Sequence, residues 1–114
     1  MPFINTKLSV PLSAEKEAAL KTAYGEAIEI LPGKTEKWLM LEFTDNCRMW
    51  LGGKGDVPTA YVEVSIYGSA DAKSYDRLTG EITRILGSEI GIPAERVYVR
   101  YSETENWGWN GGNF

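Results

Sequence analysis

The sequence predicts an α/β (α+β) fold of two βαβ units, joined into a four-stranded mixed sheet with both helices on one face. Three observations predict it. The pattern of apolar and turn residues repeats at a shift of 58 places, each copy holds a strand-like stretch, and each carries a helical stripe closed by a glycine. With 114 residues, 12 Lys+Arg against 16 Asp+Glu and 43% apolar residues, the chain reads as one compact, mildly acidic domain over 1–114. The repeats are about 2–58 and 59–114.

The shift lays Phe3-Ile4 on Tyr61-Val62, Leu20 on Leu78, Ala27-Ile28 on Ile85-Leu86 and Gly33 on Gly91. It also lays Leu39, Leu41 and Phe43 on Val97, Val99 and Tyr101. The first strand is expected from Phe3 to Leu8. Ser13 then starts a helix, with Glu15 and Glu17 where the dipole favours negative charge, and Leu20, Ala23, Tyr24, Ala27, Ile28 and Leu31 as its apolar stripe. Pro32-Gly33 ends it, and Trp38 to Thr44 form an outer strand. In the second copy, Ala60 to Tyr67 alternates Val62, Val64 and Ile66 with Tyr61, Glu63, Ser65 and Tyr67. Asp71 caps a helix with the stripe Tyr75, Leu78, Ile82, Ile85 and Leu86; Gly91 and Pro93 stop it, and Arg96 to Ser102 is the last strand. The sheet face away from the helices would carry Tyr98, Arg100 and Glu63, too polar for a second layer of the same chain yet aromatic. Association with another subunit is the expected cover, although a solvent-facing sheet is common in antiparallel pairs.

Composition narrows the chemistry. With no His, neither a Ser-His-Asp nor a Cys-His nucleophile nor an imidazole metal site can be built, and the lone Cys47 makes no internal disulfide or thiolate cage. No metal and no cofactor are therefore expected. Near neutral pH the available acid-base groups are displaced carboxylates or lysines, tyrosines, one thiol and the α-amino group. The acidic balance, without any run of Lys or Arg, argues against nucleic acid as a partner. No stretch approaches the roughly 20 apolar residues of a membrane span, and no charged, apolar leader opens the sequence, so the expected compartment is the cytoplasm.

Several residues could carry chemistry. Removal of Met1 would turn Pro2 into a secondary amine held at the start of a strand, a general base wherever nearby cations or apolar surroundings keep it neutral. Lys34 follows Pro32-Gly33; it either complements the helix dipole or binds a carboxylate or enolate oxygen. Tyr98 and Arg100 share the face opposite the helices, as surface residues or as parts of a neighbour's pocket. The tail, Asn106 to Phe114, holds Trp107, Trp109 and Phe114 among glycines, so it is expected to pack on something. Cys47 reads as an inert thiol and Gly52-Gly53-Lys54-Gly55 as a turn, lacking the spacing of a phosphate loop.

Met1-Pro2, Gly33-Lys34, the Pro58 to Gly68 strand, Arg96-Val97-Tyr98 and Gly108-Trp109-Asn110 occur in an order that resembles the macrophage migration inhibitory factor and D-dopachrome tautomerase family over the whole length. The resemblance implies a homotrimer whose sheets enclose a barrel, with active sites at subunit boundaries. It implies keto-enol tautomerisation of small keto acids of the phenylpyruvate type, with Pro2 as catalytic amine. Lys34 matches the residue at the substrate's polar end, and Tyr67 the position whose backbone amide contacts it, with Ile66 as the alternative. Tyr98 matches the tyrosine supplied by the adjacent subunit; Trp38, Trp109 and Phe114 match or lie near the aromatic wall. Arg100 stands where the mammalian factor has asparagine, which bears on substrate preference. Thr59 and Val62 replace the family cytokine's Cys-x-x-Cys, so no thiol-disulfide activity is implied. Superfamily relatives that hydrate, dehalogenate or decarboxylate short acids, and a non-catalytic signalling trimer, are the alternative implications.

Overall fold

A computed structural model describes residues 1–114. The chain runs β1 (Pro2–Leu8), α1 (Ala14–Ala27), β2 (Met40–Thr44), β3 (Ala60–Tyr67), α2 (Ala72–Ile90) and β4 (Val97–Thr104), followed by a small hairpin of β5 (Gly108–Trp109) and β6 (Gly112–Asn113). The main sheet has the order β2-β1-β3-β4. β1 is parallel to β2, β3 is parallel to β4, and the two central strands are antiparallel. This is the mixed sheet expected from two βαβ units.

The parallel pairs share one register. Phe3 faces Met40 and Tyr61 faces Tyr98; Asn5 faces Glu42 and Glu63 faces Arg100. Each second pair stands 58 residues after the first, so both crossovers are built alike. The central pairing of Asn5 with Glu63 is the one that maps onto itself under that shift, which places the pseudo-dyad there.

The helices form where capping and periodicity direct them. The Ser13 side chain accepts from the Lys16 amide at 3.1 Å, and the Asp71 carboxylate accepts from the Ser74 amide at 2.6 Å. That bond, with Lys73 and Arg77 nearby, holds the Asp71 carboxyl below its ordinary range. Gly91, at φ 71°, supplies the left-handed cap that ends α2. Leu20, Tyr24, Ile28 and Leu31 from the first helical segment, and Leu78, Ile82, Ile85 and Leu86 from the second, are buried against Ile4, Leu8, Val62, Val64 and Ile66. Thr6 and Tyr24 share a buried hydroxyl hydrogen bond at 3.0 Å, which satisfies both polar groups inside this layer.

Several boundaries differ from the sequence expectation: β1 begins one residue earlier, at Pro2, and β4 runs two residues further, to Thr104. A 3₁₀ turn over Ile28–Ile30 extends α1, and a second over Glu36–Trp38 removes Trp38 and Leu39 from the outer strand, which begins at Met40. Arg96 likewise ends a 3₁₀ turn over Ala94–Arg96 and precedes β4. In both cases the last residues before the strand carry the crossover back to the sheet, so ladder pairing starts only at Met40 and Val97. The bare sheet face carries Asn5, Lys7, Glu63, Tyr98 and Arg100, as the alternation required.

Candidate active site

The site forms where β1 begins and β3 ends. Because these strands run antiparallel and Pro2 pairs with Ile66, the next residue, Tyr67, lies alongside the chain start. The Tyr67 amide donates to the Met1 carbonyl at 3.1 Å. It is thus the Tyr67 amide, not that of Ile66, that reaches this point.

Lys34 arrives from the first crossover. Gly33, at φ 80°, reverses the chain after α1, and the Lys34 amide closes the turn on the Leu31 carbonyl at 3.1 Å. The Lys34 side chain then donates from Nζ to the Tyr67 carbonyl at 2.9 Å. One residue therefore joins the chain start through its amide to the lysine through its carbonyl. Partial burial and the Lys34 cation both lower the pKa of the Met1 α-amino group, one residue ahead of the Pro2 nitrogen, from its ordinary value of 8.0. Two hydrogens of the ammonium remain free for an incoming anion.

Aromatic rings extend from this polar corner. Tyr67 and Phe114 rings lie 5.4 Å apart, Phe114 stacks on Trp109 at 6.4 Å, and Trp109 meets Trp38 edge-on at 5.0 Å. The tail is held in place by its own hairpin. Asn110 and Gly111 both take positive φ, 52° and 84°, the two-residue turn that matches strand twist, and the Phe114 amide closes on the Trp107 carbonyl at 3.1 Å. A cleft of about 620 Å³ runs beside these rings, lined by Met1, Pro2, Phe3, Trp38, Met40 and Trp109 among others. That is within the range of small-molecule sites.

The structure brings Pro2, Lys34, Tyr67, Trp38, Trp109 and Phe114 to one end of the sheet. Tyr98 and Arg100 are elsewhere. Tyr98 shares a row with Tyr61 and Lys7, five residues along β1 from Pro2, or about 17 Å at strand rise. It lines a separate recess of about 270 Å³ with Met49, Trp50, Leu51 and Tyr61. Arg100 lies 3.8 Å from Glu63 with its side chain largely exposed.

The recess has its own anchor. The buried Arg96 guanidinium donates to Thr59 Oγ1 at 2.6 and 3.0 Å, to the Leu51 carbonyl at 2.9 Å and to the Lys54 carbonyl at 2.8 Å. Gly52 and Gly53 form the turn this clamp holds, as the sequence suggested.

The profile of the family described as "Macrophage migration inhibitory factor (MIF)" matches residues 1–114. The chain belongs to the macrophage migration inhibitory factor family. Among solved structures, Leishmania major MIF2 superposes with a TM-score of 0.93 at 39% identity, covering 100% of this chain and 97% of the other. A macrophage migration inhibitory factor homologue from Prochlorococcus marinus gives 0.88 at 32% identity over 98% of each chain. A macrophage migration inhibitory factor homolog from Brugia malayi is 25% identical over 116 residues, 100% of this chain and 99% of its own. Family membership and fold agree with the resemblance read from the sequence, including membership of the tautomerase superfamily.

For this family member, sequence reading missed four residues of the cleft: Phe3, Lys37, Leu39 and Met40. Phe3 and Met40 were findable, because a correct register pairs them across the two first strands. Lys37 carried no periodic signal, whereas Trp107 belongs to the tail that was expected to pack. The ring of Tyr67 was also overlooked, since only its backbone had been singled out.

Proposed function

We propose that this protein is a keto-enol tautomerase of small enolisable keto acids of the phenylpyruvate type, working as a homotrimer after removal of Met1. The observation that carries the reading is the meeting of the chain start, the Lys34 ammonium and the Tyr67 peptide at the mouth of an aromatic cleft.

In the reaction, the neutral Pro2 amine takes a proton from the carbon alpha to the keto group. The C–H electron pair becomes the C=C bond, and the carbonyl π pair moves to oxygen. The protonated amine then delivers its proton to that oxygen, so atoms and charge balance and no co-reactant is needed. Lys34 offsets charge on the carboxylate and the developing enolate, the Tyr67 amide donates to oxygen, and Trp38, Trp109 and Phe114 hold the ring. Tyr98 and Arg100 complete the pocket of an adjacent subunit. Their distance from Pro2 within one chain, and the exposure of Tyr98, Trp50 and Met40, support association.

The superfamily reactions that use a protonated amine, hydration, dehalogenation and decarboxylation, are the second enzymatic reading. Burial and Lys34 both disfavour a cationic α-amino group at Met1, and the same surroundings one residue on support a neutral base at Pro2. A signalling trimer with an idle pocket is the remaining alternative. Ketonisation of phenylpyruvate, measured on protein whose first residue is proved by mass spectrometry to be Pro2, decides. Loss of activity in Pro2→Gly is expected, and equal rates in the two proteins would defeat the proposal.

A further inference from the structure

Lys37 is the one charged side chain lining the 620 Å³ cleft; its companions include Met1, Pro2, Phe3, Trp38 and Met40, and none is acidic. Its Nζ stands 5.2 Å from the centroid of the Trp38 ring. The ion pairs of the fold join Arg84 to Glu81 and Arg100 to Glu63, so neither engages this ammonium. The chain carries a net charge of −4, yet the charged side chain lining this cleft, Lys37, is positive, and Lys34 adds a second cation beside the chain start. They differ in place. Lys34 is tied to the Tyr67 carbonyl at the polar corner, whereas Lys37 lies on the indole face of Trp38, whose edge meets Trp109.

We propose that Lys37 is a specificity-determining residue and that the preferred substrate is an aromatic keto acid with a second anionic group on its ring. The α-keto carboxylate is held at Lys34 beside Pro2, the ring lies along the aromatic wall, and the distal anion meets Lys37. Trp38 restrains the ammonium by a cation–π contact and leaves its hydrogens free to donate. The inference rests on the tautomerase reading for the reacting end and on the cleft alone for the distal end.

The test compares phenylpyruvate with 4-carboxyphenylpyruvate as substrates, and cinnamate with 4-carboxycinnamate as unreactive ligands measured by calorimetry. In low salt, the native protein is expected to favour each carboxylated partner by about two- to fivefold, the range of one partly exposed ion pair. Lys37→Ala removes that preference, Lys37→Arg retains it, and the distant surface variant Lys73→Ala leaves both activity and preference as they were. An unchanged preference in Lys37→Ala overturns the inference, whatever the rates. If neither keto acid is isomerised while the calorimetric preference follows Lys37, the tautomerase reading falls and the anion site stands. If both are isomerised without any preference for the carboxylated partner, the anion site falls and the tautomerase reading stands.

Discussion

Retaining Met1 is the perturbation that bears most directly on the proposed chemistry, because it acts on two groups at once. With Met1 in place the Pro2 nitrogen is an amide and has no basic lone pair, so a general-base contribution of about 10²- to 10⁴-fold vanishes whole. The Met1 carbonyl also occupies the Tyr67 amide at 3.1 Å, and one donor to a developing oxyanion is worth about 10²- to 10³-fold. Groups that serve one transition state do not add, so the expected loss is near the larger value, about 10³- to 10⁴-fold in kcat/KM or ~4 to 5.5 kcal/mol. Two preparations suffice, one with a homogeneous Pro2 start and one with Met1 blocked against excision, both verified by mass spectrometry. Phenylpyruvate ketonisation is followed by ultraviolet absorbance, with trimmed protein in the blocked sample held well under one part in a thousand. Rates within tenfold of each other would refute the assignment of the base and of the Tyr67 donor together.

Lys34 is one of the two causes that lower the pKa of the Met1 α-amino group; the same cation lies beside the proposed Pro2 amine, so Lys34→Ala is expected to raise that amine's pKa. The neutral amine is the active form and activity climbs with pH through its pKa; the acid limb of the kcat/KM profile therefore moves to higher pH, and a limb that stays put sinks the argument. Arg96→Met strands the Leu51 and Lys54 carbonyls and the Thr59 hydroxyl while relieving the desolvated guanidinium, a net loss of about 3 kcal/mol in urea unfolding at fixed protein concentration. A loss under about 1 kcal/mol would mean that the clamp is not what holds the turn. Pro2→Gly and Tyr98→Ala, each impaired alone, should regain activity when denatured and refolded together, since about a quarter of subunit boundaries then carry both native residues. No recovery on mixing would place Tyr98 outside the neighbour's pocket.

Much of the fold was legible because it is written twice. The shift of 58 fixed which apolar positions correspond, and Ile4 with Val62, Leu20 with Leu78, and Ile28 with Leu86 are all buried. Ser13 and Asp71 marked helix starts by side chains that bond locally, and Gly91 marked a helix end by its left-handed backbone; such signals need no tertiary context. The strand starts were less legible. Trp38-Leu39-Met40-Leu41 reads as one apolar run, and only the meeting with β1 decides that pairing begins at Met40 and leaves Trp38 in a 3₁₀ turn facing the cleft. The tail hairpin carried an Asn110-Gly111 signal, but its flanks are glycine-rich and not alternating, so nothing beyond that dipeptide pointed to strands.

The two hollows at opposite ends of the sheet explain why so little of the site's chemistry could be inferred from pattern alone. Pro2, Phe3 and Met40 line the cleft, and their counterparts 58 residues on, Ala60, Tyr61 and Tyr98, line the recess. Trp38 of the cleft corresponds to Arg96, the buried clamp of the recess. The backbone thus builds one kind of hollow twice. At the first, the removal of Met1 that the proposed function requires would turn the Pro2 nitrogen into an amine. At the second the corresponding nitrogen belongs to Ala60, inside a continuous peptide, and the preceding Thr59 amide is already committed to the Ser9 hydroxyl at 2.8 Å. Symmetry supplies the walls of both hollows, and under the proposed function Pro2 makes the first of them the one that holds a base. A recess with an exposed tyrosine and no base of its own is then suited to completing another subunit's cleft, which the mixing experiment tests.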